Sequence, residues 1–388
     1  MSDAGQRIFE EPRHVTVLRR MRLIKPEHRT QAMRRILVAV AIGWLPLALL
    51  CLVQWLVLHR PSSAGFFSDV AAYARFLLAV PILILSDYII LPRLEAIAQY
   101  FVHSGLVLPD DRPRFDEAIA SARRLSLGVW PSIGMAIVVY SLVIVIGVTV
   151  SPEALLDWQR SDGLLHLSAA GWWHLLVSAP LVLGLILSWL WRIGVWMRFL
   201  HLLSRMELRL VSSHPDKAAG LEFVALSPRI FAPLGFAIGV LAAGTLGNEV
   251  IHLHLDPMNH IAVPVATAVV VVGLLVSPPL LFARLLMLTR RRGVFEYGAL
   301  ARRVGAEFEA KWLARDKTID ETVLGEPDFS ATTDLYGVAA NVYAMQPTLF
   351  DPRVAAAVAI ATLVPFAPIW LAVIPAKVLL SHLVGLLI

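Results

Sequence analysis

The chain has 388 residues, 57% of them hydrophobic and only 16% charged, with a mean hydropathy of +0.69. A soluble domain averages about 45–50% apolar and about 25% charged residues, and so large an apolar excess cannot be hidden in one aqueous core. Disorder, a collagen-like fibre and a disulfide-stapled secreted module are excluded, and the single cysteine, Cys51, has no intramolecular partner for a bridge.

The net charge of +5 has one address. Residues 1–35 hold nine Lys or Arg against four acids, and the other 353 residues balance at 25 of each sign. This basic segment leads into the apolar run Ile36–Leu58, which is 23 residues long. A signal-peptide core has about 7–15 apolar residues, so the run predicts an uncleaved first span.

Six further stretches reach the roughly 20 apolar residues that a helix needs to cross the hydrocarbon core. They are Val70–Leu91, Ser126–Val150, Ala170–Leu190, Leu226–Val250, Ile261–Leu288 and Val354–Ile374. Each must be helical, because an isolated strand leaves its backbone groups unpaired in lipid. The expected fold is all-α: a polytopic membrane protein of about seven transmembrane helices in a single domain, 36–388. The tail Ala376–Ile388 is too short to cross and predicts an interfacial helix or a re-entrant stub.

Lys and Arg set the orientation. With the N-terminus in the cytoplasm, thirty of the 34 cations fall inside, within 1–35, 93–125, 192–229 and 284–353. Arg60, Arg160 and Lys377 fall outside, and Arg75 lies near an outer end. The inside segments 93–125, 192–225 and 289–353 are long and amphipathic and predict a cytoplasmic helical layer. Span four is expected to run on to about Val211 and span six through Phe308, with 316–334 the best candidate for a flexible connection.

Within span five, Gly235, Gly239, Ala243 and Gly247 recur every four residues and form one small-residue face. Such a face lets another backbone approach closely. Packing within the chain is the simpler reading, and a homo-oligomer interface is the alternative.

The outer end of that span is polar: Thr245, Asn248, Glu249, His252, His254, Asp256 and His260. If the helix persists, Thr245, Glu249, His252 and Asp256 share one face. Imidazoles and carboxylates bind divalent metals or relay protons. The spacing matches no metal motif, however, and Pro257 predicts a break, so a polar loop rim is the plainer reading. Asp87, near the inner end of span two, is the candidate intramembrane acid, with Arg192 or Arg198 as its expected partner.

At the inner end of span four, Arg198, His201, Arg205 and Arg209 fall on one side of a continuous helix. This stripe has three readings. It grips anionic lipid headgroups, lines an anion vestibule, or pairs with Asp110, Asp111, Asp116 and Glu117. The last needs no ligand. Beyond it comes Ser212-Ser213-His214-Pro215-Asp216-Lys217-Ala218-Ala219-Gly220-Leu221, in which Pro215 stops the helix.

The stretch His214, Pro215, Asp216, Gly220 and Leu221 resembles a His-Pro-Asp-(Lys/Arg)-Ala-Gly-Gly-Leu signature of uncharacterised bacterial multi-pass inner-membrane proteins. Asp328, Ser330, Thr333-Asp334-Leu335, Met345, Pro347, Phe350 and the Pro-rich last span are similar to the C-terminal half of that group. The resemblance covers roughly 190–388 and departs at Ala219, where the group has a glycine. It implies a bacterial inner-membrane location and supplies no activity.

The chain has no phosphate-binding loop, dinucleotide fingerprint, zinc-protease motif or nucleophile elbow, so no cofactor and no catalytic residue is expected. Topology and anionic lipid account for the basic N-terminus without nucleic acid. Two functions compete, and the first is preferred because the outer polar cluster, the glycine-lined span five and the inner Arg stripe fall along one possible route. The first is passage of an ion or small solute from the outer polar cluster to the Arg stripe. The second is a membrane sensor or assembly scaffold that docks a cytoplasmic partner. A polar cavity reaching Asp87, Glu249 or the stripe favours the first, and a dry interior favours the second.

Overall fold

A computed structural model describes residues 28–149, 151, 155–161, 166–313 and 327–373. The described residues are 83% helical, with no strand among them. In chain order the main helices are α1 (Thr30–Leu56), α2 (Val70–His103), α3 (Arg112–Leu127), α4 (Val129–Thr149), α5 (Ala169–Ser204), α6 (Glu222–Leu253), α7 (Pro257–Val276), α8 (Ala283–Trp312), α9 (Pro327–Tyr343) and α10 (Pro352–Leu371). All but α3, α8 and α9 are long and apolar enough to cross a membrane, which makes the protein a multi-pass, all-α membrane protein. The three shorter or more polar helices connect α2 to α4 and α7 to α10, so they share one side of the bundle, the extension side. The opposite, short-loop side carries the connections after α1, α4 and α6.

Helix α6 is the most buried of the seven. Its small-residue face is filled from within the chain. A Cβ added at Gly235 would meet Thr362 Oγ1 at 2.8 Å, and one at Gly239 would meet the Thr362 carbonyl oxygen at 2.1 Å. Ala243 packs in a cluster with Leu246 and Phe366, and Gly247 faces Ile369 at 3.6 Å. One position further round, a Cβ at Gly244 would lie 2.5 Å from the Ala74 Cβ of α2. Close backbone approach replaces the hydrophobic drive that lipid does not supply. The subunit-interface reading of this face is thereby corrected: α10 occupies it.

Three spans are broken where proline removes a backbone donor. Helix α1 is interrupted at Trp44, ahead of Pro46. Helix α2 widens into a π-turn at Ala74–Ala79, ahead of Pro81, and α5 does the same at His174–Ser178, ahead of Pro180. The carbonyls released in α1 find donors on α5: Trp173 Nε1 bonds the Ile42 oxygen at 3.1 Å and Ser178 Oγ bonds the Gly43 oxygen at 2.8 Å. Such replacement is obligatory in lipid, where no water serves an orphaned carbonyl.

The extension side shares its core with the spans. Phe101 of α2, Phe115 of α3, Trp196 and Phe199 of α5, Phe282 and Leu286 near the start of α8, and Met345 after α9 belong to one buried cluster. Helix α8 extends past Phe308 to Trp312. Its Gly293 lies so close to Ser212 that an added Cβ would sit 2.5 Å from that side chain. Residues 327–334, expected in a flexible connection, instead begin helix α9 against α8, with Phe329 packed on Phe308 and Trp312 at centroid separations of 4.9 and 5.2 Å. Most of the basic N-terminal segment, residues 316–326 and the tail 376–388 lie outside the described residues.

Candidate functional site

The charged groups inside the bundle collect on α1, α2 and α5, at two levels. At the extension-side level Asp87 of α2 is held from both sides. Its Oδ1 lies 2.6 Å from Arg192 Nη1 of α5, and its Oδ2 lies 3.2 Å from Arg35 Nη2 of α1. Arg35 Nη1 also donates to the Tyr88 hydroxyl at 3.3 Å, and the Arg192 guanidinium covers the Trp189 ring at 4.9 Å. The Trp189 indole in turn donates to the Leu83 carbonyl at 3.0 Å. The expected Arg192 partner is therefore present. Arg35 is the partner that sequence reasoning missed, since it was read only as part of the basic leader. Asp87 is 9% exposed, and two cations on one carboxylate tie three spans together.

At the short-loop level the two π-turns face each other. Arg75 Nη1 of α2 lies 3.5 Å from His174 Nε2 of α5, and the His174 ring meets Trp158 edge-on at 5.7 Å. Trp158 Nε1 donates to Asp69 Oδ2 at 3.0 Å, while Asp69 Oδ1 caps α2 by accepting from the Ala72 amide at 3.0 Å. The other ring nitrogen, His174 Nδ1, is buried without a hydrogen-bond partner. Arg75 and His174 are 99 positions apart, and sequence reasoning did not join them. The available signal was the shared Pro81 and Pro180, each of which forces a wide turn one residue pair upstream.

Twelve residues separate Arg75 from Asp87 along α2, about 18 Å of helix. Phe76, Val80 and Ile84 fill that interval and pack with Leu47, Cys51 and Val182 in one buried apolar cluster. Apolar side chains line the interval between the two polar levels.

The four arginine-stripe residues do not share a helix. Helix α5 stops at Ser204, Arg205 is its C-cap, and Arg209 lies in the extended stretch beyond. The Arg209 amide donates to the Leu106 carbonyl at 2.8 Å, and Leu208 bridges Val107. Pairing with the chain after α2, over buried Leu106, Val107 and Leu203, overrides helix propensity here. The expected ion pairs with the acidic stretch are also corrected. Arg198 donates to Ser121 Oγ at 3.3 Å, while Asp116 pairs with Arg112 at 3.2 Å and Asp111 with Arg114 at 3.1 Å. His201 sits partly buried in the last turn of α5.

The polar residues at the short-loop end of α6 form a rim. Helix α6 ends at Leu253, and His254 takes the left-handed conformation at φ 53°. Asp256 starts the next turn by accepting from the Met258 amide at 2.9 Å, so it leaves the face of Glu249 and His252. His252 Nε2 lies 3.1 Å from the Ser68 carbonyl, His260 Nδ1 lies 3.2 Å from the Asp256 carbonyl, and Thr245 bonds back to Leu241. Asn248 is buried with its Oδ1 unpartnered, and Glu249 is partly buried. Among the described residues no three His, Cys, Asp or Glu side chains converge to hold a metal ion.

The His214–Leu221 segment folds round one carboxylate. Asp216 Oδ1 accepts from the Ala218 amide at 2.9 Å, and Oδ2 accepts from the Gly220 and Glu222 amides at 3.0 and 3.3 Å. His214 Nδ1 lies 2.8 Å from Oδ1. Burial pushes the Asp216 carboxyl up, but the Ala218 and Gly220 amides, His214 and Glu222 outweigh it and hold it below the usual carboxylate range. The turn requires left-handed backbone at Lys217, Ala219 and Gly220, at φ 57°, 57° and 94°. Ala219 therefore occupies a conformation that a glycine takes at lower cost. It is buried on the core beside Ala218 and Leu221, and the Gln346 amide reaches the Lys217 carbonyl at 2.8 Å. The segment is a clasp that locks the chain entering α6 to the segment after α9.

Two clefts lie on the extension side: one of about 350 Å³ between α8 and Pro347, and one of about 200 Å³ between α2 and α3. Neither is lined by Asp87, Glu249 or a stripe residue. Compared with known proteins, the chain matches no family model, no curated protein and no solved structure.

Proposed function

We propose that the protein is a non-enzymatic assembly scaffold of a bacterial inner membrane, with its N-terminus in the cytoplasm, that docks a soluble partner on its cytoplasmic helical layer. The observation that carries this reading is the apolar packing of Phe76, Val80, Ile84, Leu47 and Val182 between the Arg75 and Asp87 levels. A conducting path needs polar or hydrated lining through that interval. The two arginines on Asp87 suit a structural tie better than an exchangeable ion site. Orientation follows from the distribution of Lys and Arg. The bacterial origin rests on the resemblance of the His214–Leu221 clasp and the C-terminal half to the uncharacterised family.

The layer offers a surface for a partner. Tyr336 and Tyr343, seven residues apart on one face of α9, are exposed, as is Phe350 beyond it, and exposed large apolar groups on one face mark interaction surfaces. Photo-crosslinking residues placed at Tyr336 and Phe350 in cells are expected to give one discrete protein adduct. The same probe at lipid-facing Val269 is expected to give none. Absence of any adduct from the layer positions overturns the proposal.

Passage of an ion or small solute is the second reading, favoured by the unpartnered His174 Nδ1 beside Arg75 in two facing π-turns. It predicts flux in reconstituted vesicles that changes on Arg75→Gln.

A further inference from the structure

We propose that the cleft between α8 and the segment after α9 binds the phosphate of an anionic phospholipid. The cleft is lined by Met287, Arg290, Arg291, Val294, Phe295 and Pro347 and has a volume of about 350 Å³. Two cations therefore share one concave site with four apolar side chains, the combination that a lipid headgroup and the top of its acyl chains present in mirror image.

The arginines are not used up by the fold. Arg290 donates one Nη2 bond to the Tyr343 carbonyl at 3.3 Å, which fixes the guanidinium, yet its Nε is buried with no partner. Among the described residues no carboxylate pairs with Arg290 or Arg291. The neighbouring acid, Glu296, is taken by Arg292 at 2.7 Å. A buried guanidinium N–H without an acceptor costs free energy that an anion would recover, and a phosphate oxygen is the acceptor that suits its fork geometry.

Position singles out a lipid as the source of the phosphate. Helix α8 follows directly on α7, a membrane-spanning helix, after the turn at Pro278–Phe282. Its free face alternates Arg284, Leu288, Arg291 and Phe295, and the last three stand exposed together with Met287. Arginine alternating with large apolar groups is the face that settles at the boundary between headgroups and acyl chains, with the guanidiniums reaching outward. The opposite face is occupied: Gly293 abuts Ser212 and Val342, and Leu286 is fully buried in the core cluster. The helix is thus fixed on its inner side and presents the cleft to the leaflet. This inference stands independently of the scaffold reading, because the site is built whether or not a soluble partner docks.

Thermal unfolding of the purified protein in a neutral detergent tests it, with phosphatidylglycerol, phosphatidylcholine or inorganic phosphate added in turn. Phosphatidylglycerol is expected to raise the Tm by several degrees, phosphatidylcholine much less and inorganic phosphate not at all. In the Arg290→Gln/Arg291→Gln protein the phosphatidylglycerol effect is expected to fall below half. The Arg302→Gln/Arg303→Gln protein, which loses the same charge further along α8, is expected to keep it. If the first double variant does not fold, Arg291→Gln alone carries the test, because that side chain is exposed. An equal loss in both double variants overturns the proposal, since it means diffuse attraction. Protection by inorganic phosphate as strong as that by the lipid overturns it too, as does protection by phosphatidylglycerol that survives Arg291→Gln undiminished.

Discussion

Substituting Gly239 by alanine tests the packing of α6 against α10 most sharply. The added Cβ would lie 2.1 Å from the Thr362 carbonyl oxygen and 3.0 Å from its carbon. That is roughly 1 Å inside ordinary contact, against backbone that no side-chain rotation can move, so the cost should reach or exceed the usual overpacking range of about 1–3 kcal/mol. A gain from replacing glycine in a helix, at most about 1 kcal/mol, offsets only part of it. Gly273 on α7 provides the control, since an added Cβ there meets nothing within 4 Å. The only cysteine, Cys51, is fully buried in α1, so a thiol-reactive fluorogenic dye reports unfolding without further engineering. Gly239→Ala is expected to lower the Tm in mild detergent by roughly 5 °C or more, and Gly273→Ala to leave it unchanged or raise it. Equal Tm values for Gly239→Ala and wild type would refute the close α6–α10 approach.

Other substitutions probe the polar ties. Asp87→Asn leaves Arg35 and Arg192 without their shared carboxylate and is expected to destabilise the protein by about 3–5 kcal/mol, read by the same dye assay. Adding Arg192→Gln to that variant should recover part of the loss, whereas additive losses would dismiss the three-helix tie. Asp216→Ala removes the acceptor of three amides and is expected to cost about 2–4 kcal/mol. The folded carboxyl titrates below its unfolded value, so its contribution is complete above the ordinary carboxylate pKa of about 4 and fades as pH falls through the folded value. Wild-type stability should therefore drop more steeply than that of Asp216→Ala below about pH 4; parallel profiles would contradict the clasp. Trp173→Phe removes the donor to the Ile42 carbonyl and should cost about 1 kcal/mol. Pro46→Ala restores the backbone N–H that proline lacks, so in that background the Trp173→Phe cost should shrink; an unchanged cost would show that the indole does not serve the break.

Much of this was legible in the chain because lipid imposes long, unbroken apolar runs. The seven runs became seven spans, and the four-residue spacing of Gly235, Gly239, Ala243 and Gly247 marked the central helix. Asp87 and Arg192 could be matched because both lie near one membrane level. Arg35 lies at that level as well, but it closes the basic leader, and composition does not separate a leader charge from a span partner. The arginine stripe failed for a different reason. Nothing local ends a helix at Ser204; the end is set by pairing with Leu106, more than ninety positions earlier. The Arg75–His174 contact arises from two proline-induced wide turns that meet only in the folded bundle. Periodicity is a property of one helix, and these features belong to pairs of them.

The central claim is that the bundle is a dry support rather than a conduit. Flux of protons, potassium, chloride and a small organic anion into vesicles reconstituted with the full chain tests it most directly. The account predicts rates equal to those of protein-free vesicles under every gradient, for wild type and Arg75→Gln alike. Flux above that background, lost or altered on substitution of Arg75 or Asp87, would contradict it.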